Sequence, residues 1–329
     1  MMDYIKSRNN ENEEDNMFKK FLVIAIVITN ILFMTSKISA MQLTVVGQRT
    51  LQGLERGHFP MEPAWSPDGN ELAIAMDDGI HVIGADGGRR EQVAPEEYKN
   101  KENLSIFSHP TWSPDSKKIA FAWCEGGVTS GYPCNIWIVN RDGSNLERLL
   151  ESKIRTFLPD DKRCHPPYDR YYGHPSWSPD GAQIAFDFTE GETGKQFVAT
   201  INLSTKEIRV LTEGNNPIWT LGGINLAYNM KGLYIMNILN IHSELVMWDN
   251  RKLTGEGISW SPDGKMIALP QGRRIKVINM VDNQSILLPS EDLLQTVTSC
   301  KWSPDGAHLI VELCDFNIPR YNIVILNIR

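Results

Sequence analysis

The chain has 329 residues, 41% hydrophobic and 22% charged, which suffices for one large domain plus a short appendage. Its formal net charge is −7 and no basic stripe runs through it, which excludes a nucleic-acid-binding surface. Five cysteines without a Cys-x-x-Cys pair exclude a dense disulfide scaffold.

Residues 1–16 are polar and charged and are expected to be disordered, because they have no apolar surface to bury. Lys19 and Lys20 precede an apolar run, Phe21–Met34, and the small residues Ser39 and Ala40 follow. Residues 17–40 therefore read as a secretory signal cut after Ala40. The run is short of the ~20 apolar residues of a spanning helix. A retained inner-membrane anchor facing the periplasm is the other reading, and only then does the chain touch a membrane. Met17 is a candidate start residue. Next, Gln42–Leu51 alternates like a strand.

A motif then recurs. Trp-Ser-Pro-Asp stands at residues 65, 112, 177, 260 and 302, each followed by Gly except for Ser116 in the second copy. A worn copy places Trp219 before Thr220, Leu221, Gly222 and Gly223. Each copy reads as a strand, a tight turn and a second strand. Proline pre-sets φ, aspartate bonds its own backbone, and glycine accepts a positive φ. A third strand follows in every copy and a fourth in most. The tryptophan intervals are 47, 65, 42, 41 and 42 residues. Four strands per repeat of about 40–45 residues is the signature of a propeller blade, and period-2 alternation excludes helical solenoids. The fold expected is all-β: six four-stranded antiparallel blades over residues 42–329. A free strand edge is a liability, so the strand within 42–51 is expected to complete the last blade and close the ring. The repeated tryptophans are expected to pack the blades.

These Trp-Ser-Pro-Asp-Gly blades resemble those of TolB-type, WD40-like six-bladed propellers, over about residues 42–329. The resemblance is specific for fold and weak for function. TolB carries an additional N-terminal α/β domain, whereas here some twenty residues separate Ala40 from the first motif. Oligogalacturonate lyases also use related blades, seven of them, with a channel metal held by histidines.

The chain departs from regular spacing in two places: the insertion 151–173, and the connection from Cys124 to Cys134. In an antiparallel blade both connections, with 189–195, fall on one face, over blades two and three. Long loops on a rigid scaffold are where binding usually resides. Tyr168, Arg170, Tyr171 and Tyr172 from the insertion, with Trp123 and Tyr132 beside the second loop, either form a contact surface for a protein or glycan or pack the loops onto the blades. Cys124 and Cys134 flank a hairpin loop in an exported chain and form a candidate disulfide. Cys300 and Cys314 share a hairpin in imperfect register, and Cys164 is left over.

The residues three before the tryptophans are Glu62, His109, His174, Asn216, Gly257 and Ser299. One carboxylate and two imidazoles from adjacent blades, Glu62, His109 and His174, either hold a divalent metal in the central channel or are polar residues bonded to water and backbone. No other cofactor is expected. No Gly-x-Ser-x-Gly, Walker loop or His-Glu-x-x-His is present. Two functions stand: an exported non-catalytic binding module, periplasmic or extracellular and monomeric, that engages a protein or envelope glycan; or a metal-dependent polysaccharide lyase of the oligogalacturonate type using the channel histidines.

Overall fold

The Ser-Pro-Asp-Gly turn closes on itself through its side chains. In blades one, two and five the serine hydroxyl donates to the aspartate Oδ1 at 2.6 Å: Ser66 to Asp68, Ser113 to Asp115, Ser261 to Asp263. The same Oδ1 accepts the N–H two residues on, as from Asn70 at 3.1 Å and Lys265 at 3.1 Å. The serine Oγ accepts the N–H five residues on, as from Glu71 at 2.9 Å and Met266 at 2.9 Å. Ser178–Asp180 and Ser303–Asp305 repeat the arrangement. The hydrogen bond from serine holds each of these five aspartates below the ordinary carboxylate range. In the worn copy the backbone turn survives without the aspartate, Gly223 N–H donating to Thr220 O at 3.0 Å.

The computed structural model describes residues 41–51, 54, 62–95, 105–125, 134–152, 170–191, 193–248, 257–289, 293–315, 317 and 320–329. The expected disordered and signal segments, 1–16 and 17–40, lie outside the described residues. Among the described residues every regular element is a strand, and the strands form six four-stranded antiparallel sheets. The strands of each blade are A to D from the channel outward. Strand A is Ala64–Trp65, Ser105–Trp112, Arg170–Trp177, Asn215–Trp219, Ser259–Trp260 and Thr296–Trp302 in blades one to six. Strand B is Glu71–Met76, Lys118–Glu125, Gln183–Glu190, Asn225–Asn229, Met266–Gln271 and His308–Asp315. Blade six takes its outer strand from the other end of the chain: Val45–Thr50 pairs antiparallel with Arg320–Ile328, with Thr50 opposite Val324 and Gln48 opposite Leu326. The ring is closed as the sequence predicts.

The core lies in the seams between blades. Ala75, Ile80 and Val82 of blade one pack with Phe107, Trp112 and Phe121 of blade two, and Tyr172, Trp177 and Phe186 of blade three pack with Ala120 and Ile136 of blade two. Trp112 also donates its indole N–H to Ala64 O of the preceding blade at 3.1 Å. Trp65, Trp112, Trp177, Trp219 and Trp260 thus pack in the seams between blades, and Trp65, Trp219, Trp260 and Trp302 also line the channel.

Candidate functional site

The polar end of the channel is built by β-bulges. Glu62, His109, His174 and Asn216 each precede a proline and each has a positive φ, of 47°, 53°, 45° and 56°. Ordinary side chains avoid that region, and a following proline steers a residue towards extended backbone instead. In blades two, three and four the conformation is held by the ladder on either side. Pairing slips between Ser108 and Thr111, between Gly173 and Ser176, and between Asn215 and Ile218. The extra residue in each bulge re-aims the side chain, and all four line the channel. Blade five has Gly257 at this place, with φ 107°, where a Cβ would fall 2.8 Å from Ser299 Cα.

The bulges bring charges together. His109 Nε2 lies 3.0 Å from Glu62 Oε1, and the His109 backbone N–H donates to Glu62 Oε2. His174 Nδ1 lies 2.8 Å from Asp187 Oδ2, which also accepts the Asn216 N–H at 2.7 Å. The two imidazoles face each other with ring centroids 3.8 Å apart. Glu312, 0% exposed, accepts the Glu62 N–H at 3.2 Å and the Thr298 hydroxyl at 2.9 Å. Each carboxylate therefore ties its own blade to the positive-φ residue of the next: six to one, one to two, three to four. Burial pushes the Glu62 and Asp187 carboxyls up, but the histidine charges and hydrogen bonds together outweigh it and hold both below their ordinary values.

One level deeper, the residue before each tryptophan faces the channel. In blade six this is Lys301, whose Nζ donates to Ile258 O at 3.2 Å. Burial lowers its pKa, against the opposing charges of Cys300, Glu62 and Glu312. The channel encloses about 580 Å³, walled beyond the polar ring by tryptophan and proline.

The structure thus gathers Glu62, His109 and His174 at one point. Among the described residues, however, no group of three His, Cys, Asp or Glu is arranged to hold a metal ion. The two imidazoles lie against each other, tilted by 53°, and one nitrogen of each faces a carboxylate. Trp123 and Tyr172 are buried, 3% and 6% exposed. Trp123 packs on Phe107 and Trp137, and Tyr172 on Phe186 and Phe188. These two pack the blades rather than form an exposed contact surface. The reason is that strand A of blades two and three runs past the bulge, back to Ser105 and Arg170, which makes Tyr172 a strand residue. Arg170 and Tyr171 lie on that strand, and Tyr132 and Tyr168 fall outside the described residues. Sequence reading missed Asp187, Glu312 and Lys301. Their signal was a carboxylate at one repeated place in strand B, where the other blades have the uncharged Ala75, Ala122, Asn229 and Pro270, and a lysine where the other blades carry uncharged side chains.

Cys124 and Cys134 are joined by a disulfide across strands B and C of blade two. Cys300 and Cys314 are free and buried, opposite Val311 and Thr296 rather than each other. Burial pushes the Cys300 thiol up to about 12, which makes it a poor nucleophile. Cys164 lies outside the described residues. Closing a loop of this size is worth about 3 kcal/mol in the chain-entropy account. The double variant Cys124→Ser, Cys134→Ser should therefore melt several degrees lower, and unreduced wild-type protein should lack the mass of two hydrogens. A full complement of free thiols in the wild type would refute the bond.

No family model matches the chain, and no curated protein matches it. Solved structures do. TolB from Acinetobacter baumannii superposes with a TM-score of 0.51 at 17% identity, over 81% of this chain and 64% of that one. A structure described as TolB from Agrobacterium tumefaciens gives 0.53 at 15% identity, over 88% of this chain and 99% of that one. An oligogalacturonate lyase from Vibrio parahaemolyticus gives 0.49 at 11% identity, over 87% and 98%, too loose a likeness to carry an argument. This chain spans 64% of the length of the Acinetobacter protein. At these identities the likeness extends to the fold alone. The chain is a six-bladed β-propeller of the fold seen in TolB.

Proposed function

We propose that this chain is an exported, non-catalytic binding module that engages a protein or cell-envelope ligand through the face at which the A strands begin. One observation carries the reading: the chain's long connections leave and re-enter the ring on the same face as the polar channel mouth. Strand B of blade two ends there at Glu125 and strand C resumes at Cys134. Strand D of blade two ends there at Leu150 and the next blade begins at Arg170. His109 and His174, from those same two blades, stand at the mouth. A closed ring fixes these strand ends on a rigid base. The carboxylates at the mouth are taken up by backbone N–H groups of the next blade as well as by the imidazoles, which suits a structural clasp better than acid–base chemistry on a substrate.

The test is capture from a cell-envelope fraction, comparing wild type with a variant in which residues 153–169 are replaced by a glycine-serine linker, which spares the paired strand from Arg170 and the buried Tyr172. A partner held by the wild type and lost from the variant, at similar melting temperature, supports the module. Equal capture by both overturns it. The lyase reading is decided separately: cleavage of an acidic polysaccharide by the wild type, lost in His109→Ala, would replace the binding module with an enzyme.

A further inference from the structure

The middle level of the channel carries one charge. Ala64, Thr111, Ser176, Ile218 and Ser259 occupy the place that Lys301 holds in blade six, and all six line the cavity. Among the described residues the Lys301 ammonium has one hydrogen bond, to a backbone carbonyl, and no carboxylate at ion-pair distance. The neighbouring carboxylates are already engaged, Glu62 by His109 and Glu312 by Thr298 and the Glu62 N–H. Lys301 is partly buried and lines the cavity, so its ammonium holds a carbonyl and feels the more distant Glu62 and Glu312 charges without an ion pair at contact distance. Hydroxyl donors share its level. Ser176 accepts the Trp219 backbone N–H at 3.3 Å, which leaves its O–H free to donate, while Ser259 accepts the Trp302 backbone N–H at 3.0 Å and donates weakly to the Trp260 carbonyl at 3.5 Å. The wall above is apolar, made of indole edges and proline rings. A cavity of this size and composition, with a few convergent donors, suits a small ligand.

We propose that the central channel binds a small apolar carboxylic acid, its carboxylate paired with Lys301 Nζ and its hydrocarbon body lying between the tryptophan walls. The acid supplies the contact ion pair that Lys301 does not make with the protein's own carboxylates. An amine ligand would set a second cation beside Lys301, and a neutral ligand would leave Lys301 as it stands. The site is independent of the loop face, so failure of either proposal leaves the other standing.

The probes are 4-phenylbutyrate and its neutral isostere 4-phenylbutyramide, titrated against the full chain by calorimetry and by tryptophan emission. The acid should bind one to one and shift the emission, and the amide should bind at least about tenfold more weakly, the weight of a charge-assisted hydrogen bond. Lys301→Met should erase the preference for the acid, and Lys301→Arg should retain it. Ile218→Trp, which fills the same level, should block both probes and serves if Lys301→Met fails to fold. Equal affinity of wild type for acid and amide, undiminished acid binding by Lys301→Met, or no acid binding up to about 1 mM would overturn the proposal.

Discussion

Deleting residues 42–52 should abolish cooperative unfolding of the whole ring. The segment is the outer strand of blade six, paired from Val45 to Thr50 with Arg320–Ile328. Thr44 and Arg329 exchange backbone hydrogen bonds at 3.0 Å, and the Leu51 N–H donates to Ile323 O at 2.9 Å. It also crosses the seam. Arg49 donates to the Asp86 carbonyl of blade one at 2.8 Å. Leu51, 5% exposed, packs with Leu72, Ile74 and Ile83 of blade one and with Ile310, Ile323 and Ile325 of blade six. Several ladder bonds at about 1 kcal/mol each and a buried leucine at about 2–3 kcal/mol make a loss on the order of 5–10 kcal/mol. Domains are stable by about 5–15 kcal/mol. The deletion also bares the edge of a nine-residue strand, Arg320–Ile328, which invites association. Circular dichroism melts and size-exclusion chromatography read both effects. A melting temperature unchanged within a couple of degrees would show that the clasp is dispensable.

Glu312→Ala should be among the most damaging point substitutions in the channel. Its carboxylate is fully buried and holds the Glu62 N–H and the Thr298 hydroxyl. Truncation leaves the Glu62 N–H without its carboxylate acceptor, reduces the Thr298 hydroxyl to the Glu312 carbonyl at 3.2 Å, and opens space at the junction of blades six and one. It also removes the bond that steadies Glu62 in its positive-φ conformation. Breaking a buried polar cluster on one side costs about 3–5 kcal/mol, and leaving one neutral donor unsatisfied costs about 1–3 kcal/mol. The expected loss for Ala is about 3 kcal/mol or more, read by denaturant unfolding. Glu312→Gln keeps one acceptor oxygen of similar shape and should lose less than half as much. An Ala variant within about 1 kcal/mol of wild type would mean that water satisfies these groups and that the inter-blade clasp is not structural.

The turn motif could be read from residues alone because its hydrogen bonds span at most five positions. Ser66, Asp68 and Glu71 satisfy one another locally, so the same letters make the same turn in each copy. The worn copy at Trp219 remained legible because its glycines keep the turn backbone. Period-2 alternation then placed the strands. The two-residue A strands of blades one and five and the eight-residue A strands of blades two and three have one motif in common. Their lengths depend on whether a partner strand extends past the bulge, which no local signal reports. Trp123 and Tyr172 looked like loop aromatics for that reason.

The sequence by itself determined the number of blades, their four-stranded build and the strand that closes the ring, because each rests on short-range turn chemistry, alternation and the need to cover a sheet edge. Only the tertiary structure decided the channel. Glu312 meets Glu62 across 250 positions of chain, and Asp187 meets Asn216 in the next blade. Alternation says that a side chain leaves its strand on one face or the other. Whether it then meets a solvent boundary, a hydrophobic seam or an opposite charge is set by closing six twisted sheets around a common axis, and that closure is a property of the whole ring.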